Sequence, residues 1–193
     1  MSFRRRLGTR ITTPIVPFLS RIGLTPDALT WIGLFIILAA AILIAKGHLL
    51  IGGILVLFSG LFDILDGALA RYKQKTSKFG AILDSTFDRI SEAVVLLALI
   101  FLYTRQGDTW IACLCAFVIV VSFLISYIKA RAEGLGLDCE VGIFTRAERV
   151  LVMAAGLIFN LVLIALVILA VFSLVTVVQR LLHVYKSGRN PQN

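Results

Sequence analysis

Residues 49–71 read LLIGGILVLFSGLFDILDGALAR, and this stretch decides the fold. An apolar run of about twenty residues is the mark of a membrane-spanning helix. This one takes up two carboxylates, Asp63 and Asp66, near its end. After Arg71 come eight residues, then Gly80, and then Asp84 and Asp88 at the head of another apolar segment. Ionisable groups at membrane depth are expensive, so they are usually paired, face a polar cavity and have a function. Spacings of three and four put each pair on one face of a helix. Two facing helices would then converge four carboxylates on one point. Such a cluster stays ionised only with a cation among it. An oxygen-only ligand set suits a hard divalent metal: magnesium, calcium or manganese.

The rest of the chain follows the same pattern. It has 193 residues, 59% of them hydrophobic, which is more apolar than soluble domains are. Thr25-Pro26-Asp27 reads as a helix start, with Thr as cap and Pro at the first helical position. Spans are expected at about 27–45, 49–70, 80–103 and 110–131, with Tyr72–Phe79 as a polar, basic loop. The last apolar stretch, Val150–Tyr185, would be about 50 Å long as one helix, against a hydrocarbon core of about 30 Å. A turn near Phe159-Asn160 divides it into spans at 147–160 and 162–184. Residues 8–22 carry Pro14, Pro17 and a modest apolar face, consistent with an interfacial amphipathic helix. The expectation is an all-α integral membrane protein: six transmembrane helices behind a juxtamembrane helix, forming one domain over 1–193.

The net charge of +8 is placed as a topology signal. Lys and Arg cluster at the N-terminus, in 71–78, around 129–149 and at the C-terminus, whereas the opposite turns hold only Lys46 and Arg105. The positive-inside rule puts both termini, the aspartates and the 71–78 loop on the cytoplasmic side of the cell membrane. Anionic headgroups are the expected surface partner. No aromatic-basic platform accompanies the charge, which argues against nucleic acid. Cys113, Cys115 and Cys139 imply no disulfide framework, and packing accounts for the two in an apolar helix. Trp31 and Trp110 read as interfacial or packing aromatics. Neither His48 nor His183 has a ligand cluster near it in sequence.

The arrangement Asp63-x-x-Asp66-Gly67-x-x-Ala70-Arg71, eight residues, Gly80-x-x-x-Asp84-x-x-x-Asp88 matches a known signature at every fixed position. It resembles that of the CDP-alcohol phosphatidyltransferases, integral membrane enzymes of phospholipid synthesis. The resemblance implies a dinuclear site, usually two Mg2+ with Mn2+ as an alternative, held by Asp63, Asp66, Asp84 and Asp88. It implies Asp88 as general base, CDP-diacylglycerol as donor and a homodimer. It also places Asp27, Ala28, Leu29, Thr30, Gly67, Arg71, Ser77 and Gly80 at the CDP-lipid. Read from the residues alone, Gly67 and Gly80 fit helix packing in lipid equally well. Arg71 alone would fit a membrane-end anchor.

A second cluster lies outside the signature: Ser126, Lys129 and Arg131, then Arg146-Ala-Glu148-Arg149, then Gln179-Arg180. Basic anchoring at helix ends is one reading. The other is a pocket for a phosphate on the acceptor, which convergent Arg and Lys suit. These segments resemble those of the phosphatidylinositol-phosphate synthases of actinobacteria, although Ala147 replaces a proline common there and the last connection is shorter. That resemblance implies Ser126, Lys129, Arg131, Arg149 and Arg180 as acceptor-phosphate contacts, and inositol 1-phosphate as acceptor. The alternatives are glycerol 3-phosphate and an archaeal CDP-linked ether lipid as donor. Glu92 continues the 84, 88 ladder and either supports the site or makes a polar contact between spans. An ion-coupled transporter would also carry acidic residues in its spans, but no internal repeat is detectable. A catalytically dead scaffold would not need all four carboxylates.

Overall fold

The computed structural model describes residues 15–73 and 77–189. All the regular structure among them is helical. A short helix α1 (residues 15–21) leads into α2 (Pro26–Ala45), α3 (Leu49–Tyr72), α4 (Lys78–Gln106), α5 (Thr109–Glu133), α6 (Arg146–Ile158) and α7 (Val162–Arg189). The part of the expected juxtamembrane helix before residue 15 lies outside the described residues.

Local chemistry sets these boundaries. The Thr25 hydroxyl accepts from the Ala28 N–H at 3.2 Å, and Pro26 occupies the first helical turn, as expected for this start. Ser77 caps α4 by accepting from Gly80 N–H at 2.8 Å. Helix α4 therefore begins before Gly80 and takes in Phe79, which polarity alone assigns to a loop. Gly107 ends it in the left-handed conformation, at φ 86°. Thr145 and Glu148 form a reciprocal capping box that starts α6. The expected turn at Phe159-Asn160 is present, with Asn160 at φ 54°.

The six long helices close into a ring. Helix α2 packs on α3 and α4, α4 on α5, α5 on α7, α7 on α6, and α6 returns to α3. All six contribute to one core, among them Ile44, Val56, Leu99, Val118, Leu157 and Leu166. A smaller cluster of Val16, Leu29, Leu65 and Leu69 seats α1 against α2 and α3. In lipid, apolar surface gives little drive between helices, so close packing must hold them. Gly53 and Gly156 supply it. A Cβ on Gly53 would lie 2.8 Å from Leu157 Cβ, and one on Gly156 would lie 2.3 Å from Ala165 Cβ.

Four helices are long and apolar enough to cross a membrane: Pro26–Ala45, Leu49–Tyr72, Thr109–Glu133 and Val162–Gly188. Helix α4 has the length, at 29 residues, but carries charged residues through its first turns. Helix α6 is short, at 13 residues against the 14 expected, or about 20 Å at the usual rise. Its place explains the shortness. Arg146 at its start pairs with Asp63 of α3, and Leu157 near its end packs on Gly53 of the same helix. Helix α6 thus runs beside only the 53–63 stretch of α3, and the preceding loop dips to the depth of Asp63. Three bonds stitch that loop to α7. Ile143 N–H donates to Gln179 Oε1, Phe144 N–H donates to Thr176 Oγ1, and Arg180 Nε donates to Val141 O.

Because α3 and α6 touch through Gly53, Gly53→Leu should lower the unfolding midpoint in detergent, at a cost of at least about 1–3 kcal/mol for overpacking. A Cβ on Gly188 would meet nothing within 4 Å, so Gly188→Ala should leave the midpoint unchanged or raise it. Equal losses in the two variants would contradict this packing account.

Candidate active site

The aspartates sit where α3 and α4 face the ring interior, but they do not meet at one point. Among the described residues, no three His, Cys, Asp or Glu side chains form a ready ligand group. The carboxylates converge only in part: Asp63 and Asp88 meet on one arginine, whereas Asp66 has a partner of its own. Asp66 is buried and accepts from the Thr30 hydroxyl of α2 at 2.7 Å. Asp63 and Asp88 share one cation. Arg146 Nη2 lies 2.7 Å from Asp63 Oδ2, and Nη1 lies 2.8 Å from Asp88 Oδ1. Asp84, one turn before Asp88 on α4, is exposed.

Two cavities open on either side of this face of α4, and Ala81 lines both. The first, about 180 Å³, is lined by Asp27, Thr30, Asp66, Gly67, Arg71, Ser77, Gly80 and Asp84. Most of the residues expected at a CDP-lipid are thus gathered in one place. Ala28 and Leu29 are not among its lining residues. Leu29 is buried in the small core cluster, and Ala28 N–H is taken by the Thr25 cap. Arg71 folds back over Gly67, so that a Cβ there would lie 3.5 Å from Arg71 Nη1.

The second cavity, about 580 Å³, carries five cationic side chains and four carboxylates, Arg89 and Glu140 among them. Ser126, Lys129, Arg146, Arg149 and Arg180 line it together with Asp88, Glu92 and Glu133. Arg131, expected here, is exposed and does not line it. Arg149 is buried and held by Glu92 through two bonds, Nε to Oε1 at 2.7 Å and Nη2 to Oε2 at 3.0 Å. A bidentate clamp of this kind fixes the plane of a guanidinium. Glu92 thus has a role that its helical spacing only hints at. Arg180 is also buried; it donates to the Val141 carbonyl at 3.0 Å and to the Ile125 carbonyl. Lys129 is partly exposed, 3.5 Å from Glu133 on its own helix.

Arg146 has no role that the sequence reveals on its own. The available signal is an arginine at the first position of a helix, where the positive end of the dipole disfavours it. Its guanidinium also bears on the metal implied by the signature. Asp63 and Asp88 already grip a positive group from two helices through oxygen atoms, and Asp66 and Asp84 supply further oxygen donors. The donor set therefore fits a hard divalent cation.

Residues 23–179 match the model of the CDP-alcohol phosphatidyltransferase family. The chain is 38% identical to the phosphatidylinositol phosphate synthase of Mycobacteroides abscessus, over 92% of this chain and 84% of that one. It is 35% identical to the archaetidylinositol phosphate synthase of Methanothermobacter thermautotrophicus, over 89% of each. Among solved structures it resembles the Mycobacterium tuberculosis phosphatidylinositol phosphate synthase with CDP-DAG bound: TM-score 0.85, 38% identity, covering 95% of this chain and 98% of that one. The same enzyme with manganese and citrate also gives a TM-score of 0.85, at 38% identity, covering 94% and 92%.

The burial and bonding separate two kinds of arginine and lysine. Arg180→Gln should lower the unfolding midpoint, since a buried carbonyl that loses its partner costs about 1–3 kcal/mol. Lys129→Gln should leave it nearly unchanged, because exposed ion pairs contribute about 0–1 kcal/mol. Thermal unfolding in detergent checks both, and a larger loss for Lys129→Gln would contradict the assignment.

Proposed function

The chain belongs to the CDP-alcohol phosphatidyltransferase family and is an enzyme of that class, and from this premise we propose that it transfers a phosphatidyl group from CDP-diacylglycerol to inositol 1-phosphate. The observation that carries the proposal is the division of the aspartates between two cavities. Asp66 and Asp84 line the one that holds the CDP-lipid signature residues, whereas Asp88 lines the basic one. A phosphorylated acceptor suits the second cavity, where Arg149, Arg180 and Lys129 would bind its phosphate. The Mycobacteroides and Methanothermobacter relatives are both named for inositol phosphate synthases, which favours that acceptor over glycerol 3-phosphate. Their names differ in the lipid, and the related structure with CDP-DAG bound favours the diacylglycerol form here.

Each residue then has a task. Asp63, Asp66, Asp84 and Asp88 would hold two Mg2+, with Mn2+ as a substitute, as the relative with manganese suggests. Such ions neutralise charge on both the attacking and leaving oxygens of a phosphoryl transfer. Arg71, beside Gly67, would contact the diphosphate, and Thr30 would keep Asp66 oriented. Asp88 would take the proton from the acceptor hydroxyl. That oxygen forms a bond to the lipid-linked β-phosphorus, the bond from this phosphorus to the bridging oxygen breaks, and CMP leaves with that oxygen. Glu92 acts through Arg149 and is a positioning residue.

The membrane arrangement belongs to the same proposal. Helices α4 and α6 complete six spans, the first with its charged turns facing the site and the second entered from the recessed loop. One domain over 1–193, preceded by a helix lying in the interface, follows from that layout. The charges favour the cell membrane with both termini and the site on the cytoplasmic side. A homodimer rests on family resemblance alone. An ion-coupled transporter has no use for a cavity lined by Lys129, Arg149 and Arg180.

Purified protein given CDP-diacylglycerol, Mg2+ and one alcohol at a time should release CMP with inositol 1-phosphate. Release with glycerol 3-phosphate and not with inositol 1-phosphate would overturn the acceptor. Release with serine or unphosphorylated inositol would overturn the phosphate cavity. Asp88→Asn should lower CMP release by a factor of at least about 100, the lower end expected for a general base, in a protein that still folds. Near-normal release would remove Asp88 from that role.

A further inference from the structure

Arg146 is outside the aspartate signature and outside the expected acceptor set, yet it lies between the two. We propose that Arg146 is a resident counter-ion that competes with divalent metal for Asp63 and Asp88 and, once displaced, turns into the adjoining basic cavity to bind the acceptor phosphate. This rests on the two-cavity reading above.

The geometry supplies both positions. The guanidinium reaches a carboxylate of α3 with one terminal nitrogen and a carboxylate of α4 with the other. The planar arginine fork can span two acceptors in this way, which a lysine ammonium cannot do with the same geometry. The oxygens it holds belong to two of the four proposed ligands, so guanidinium and metal cannot both have them. Its hold is also incomplete: Arg146 Nε is buried and has no hydrogen-bond partner among the described residues. Its own helix does not favour it there either, since a cation at a helix start faces the positive end of the dipole. What keeps Arg146 in place is the pair of carboxylates, and a divalent cation is a stronger partner for them. The destination is next to it. Arg146 lines the 580 Å³ cavity with Lys129, Arg149 and Arg180, where an added guanidinium would face a phosphate.

Competition of this kind has a defined signature. A group that must be displaced weakens the apparent affinity of the incoming ligand, and a ligand that takes up the displaced group strengthens it. Metal and acceptor phosphate would therefore help each other bind through Arg146. Removing Arg146 should tighten metal binding and reduce that mutual help.

Manganese binding to the full chain in detergent, without CDP-lipid, tests this directly. Free Mn2+ is counted by electron paramagnetic resonance, with and without inositol 1-phosphate, in the wild type, Arg146→Gln and Arg146→Lys. The glutamine variant should bind Mn2+ about tenfold more tightly than the wild type, equivalent to ~1.4 kcal/mol. The lysine variant, which keeps one charge, should fall between them and serves if the glutamine variant does not fold. Inositol 1-phosphate should tighten Mn2+ binding more in the wild type than in either variant. Mn2+ affinity in the variants equal to or weaker than that of the wild type would overturn the counter-ion, while leaving the proposed reaction intact. An equal effect of inositol 1-phosphate in all three would overturn the handover. A wild type that binds no Mn2+ would overturn the metal site and the counter-ion together.

Discussion

Carboxylates inside a ring of apolar helices have to be neutralised, and the rest of the structure is arranged around that constraint. Asp63 and Asp88 are bridged by Arg146, Asp66 is held by Thr30, and Glu92 is clamped to Arg149. These contacts join α2, α3, α4 and α6, so the polar site also ties the ring together at one end. The cost of burying charge in a low-dielectric setting is offset only by close, well-aligned partners. The polar contacts in the site are short, although Arg146 Nε is left without a partner among the described residues.

Helix α6 is the element through which the constraint shapes the architecture. Its capping box starts the helix at the depth of Asp63. A longer helix beginning at the membrane surface would carry Arg146 and Arg149 past the aspartates. The cavity of about 580 Å³ lies on the other side of α4, and three bonds hold the 134–145 loop to α7. The residues lining the two cavities are thereby separated by α4, with Asp84 lining one and Asp88 the other.

Much of this is legible in the sequence for reasons that can be named. The four long apolar helices and the turn at Phe159-Asn160 follow from apolar length, and Thr25-Pro26 marks a helix start by simple capping chemistry. The aspartate signature identifies the family because its residues lie at fixed distances along two consecutive helices. What stays hidden depends on contacts far apart in the chain. The bond of Arg146 to Asp63 crosses 83 positions, and that of Arg149 to Glu92 crosses 57. Phe79 reads as loop only while polarity is weighed above the Ser77 cap. Convergence of the four carboxylates is the natural expectation because charge spacing alone does not reveal the arginine that bridges Asp63 and Asp88 or the threonine that holds Asp66. Arg131 groups with Lys129 by proximity in sequence, although the helix turns it away from the cavity.

The decisive step of the proposed reaction is attack on the lipid-linked phosphorus by an acceptor hydroxyl held in the cavity beside Asp88. Inositol 1-phosphate carrying 18O in its hydroxyl groups tests it most directly, with the lipid product read by mass spectrometry after incubation with CDP-diacylglycerol and Mg2+. The product should be a phosphatidylinositol phosphate in which the bridging oxygen retains the label. A product limited to phosphatidic acid, or a lipid whose bridging oxygen is unlabelled, would contradict it.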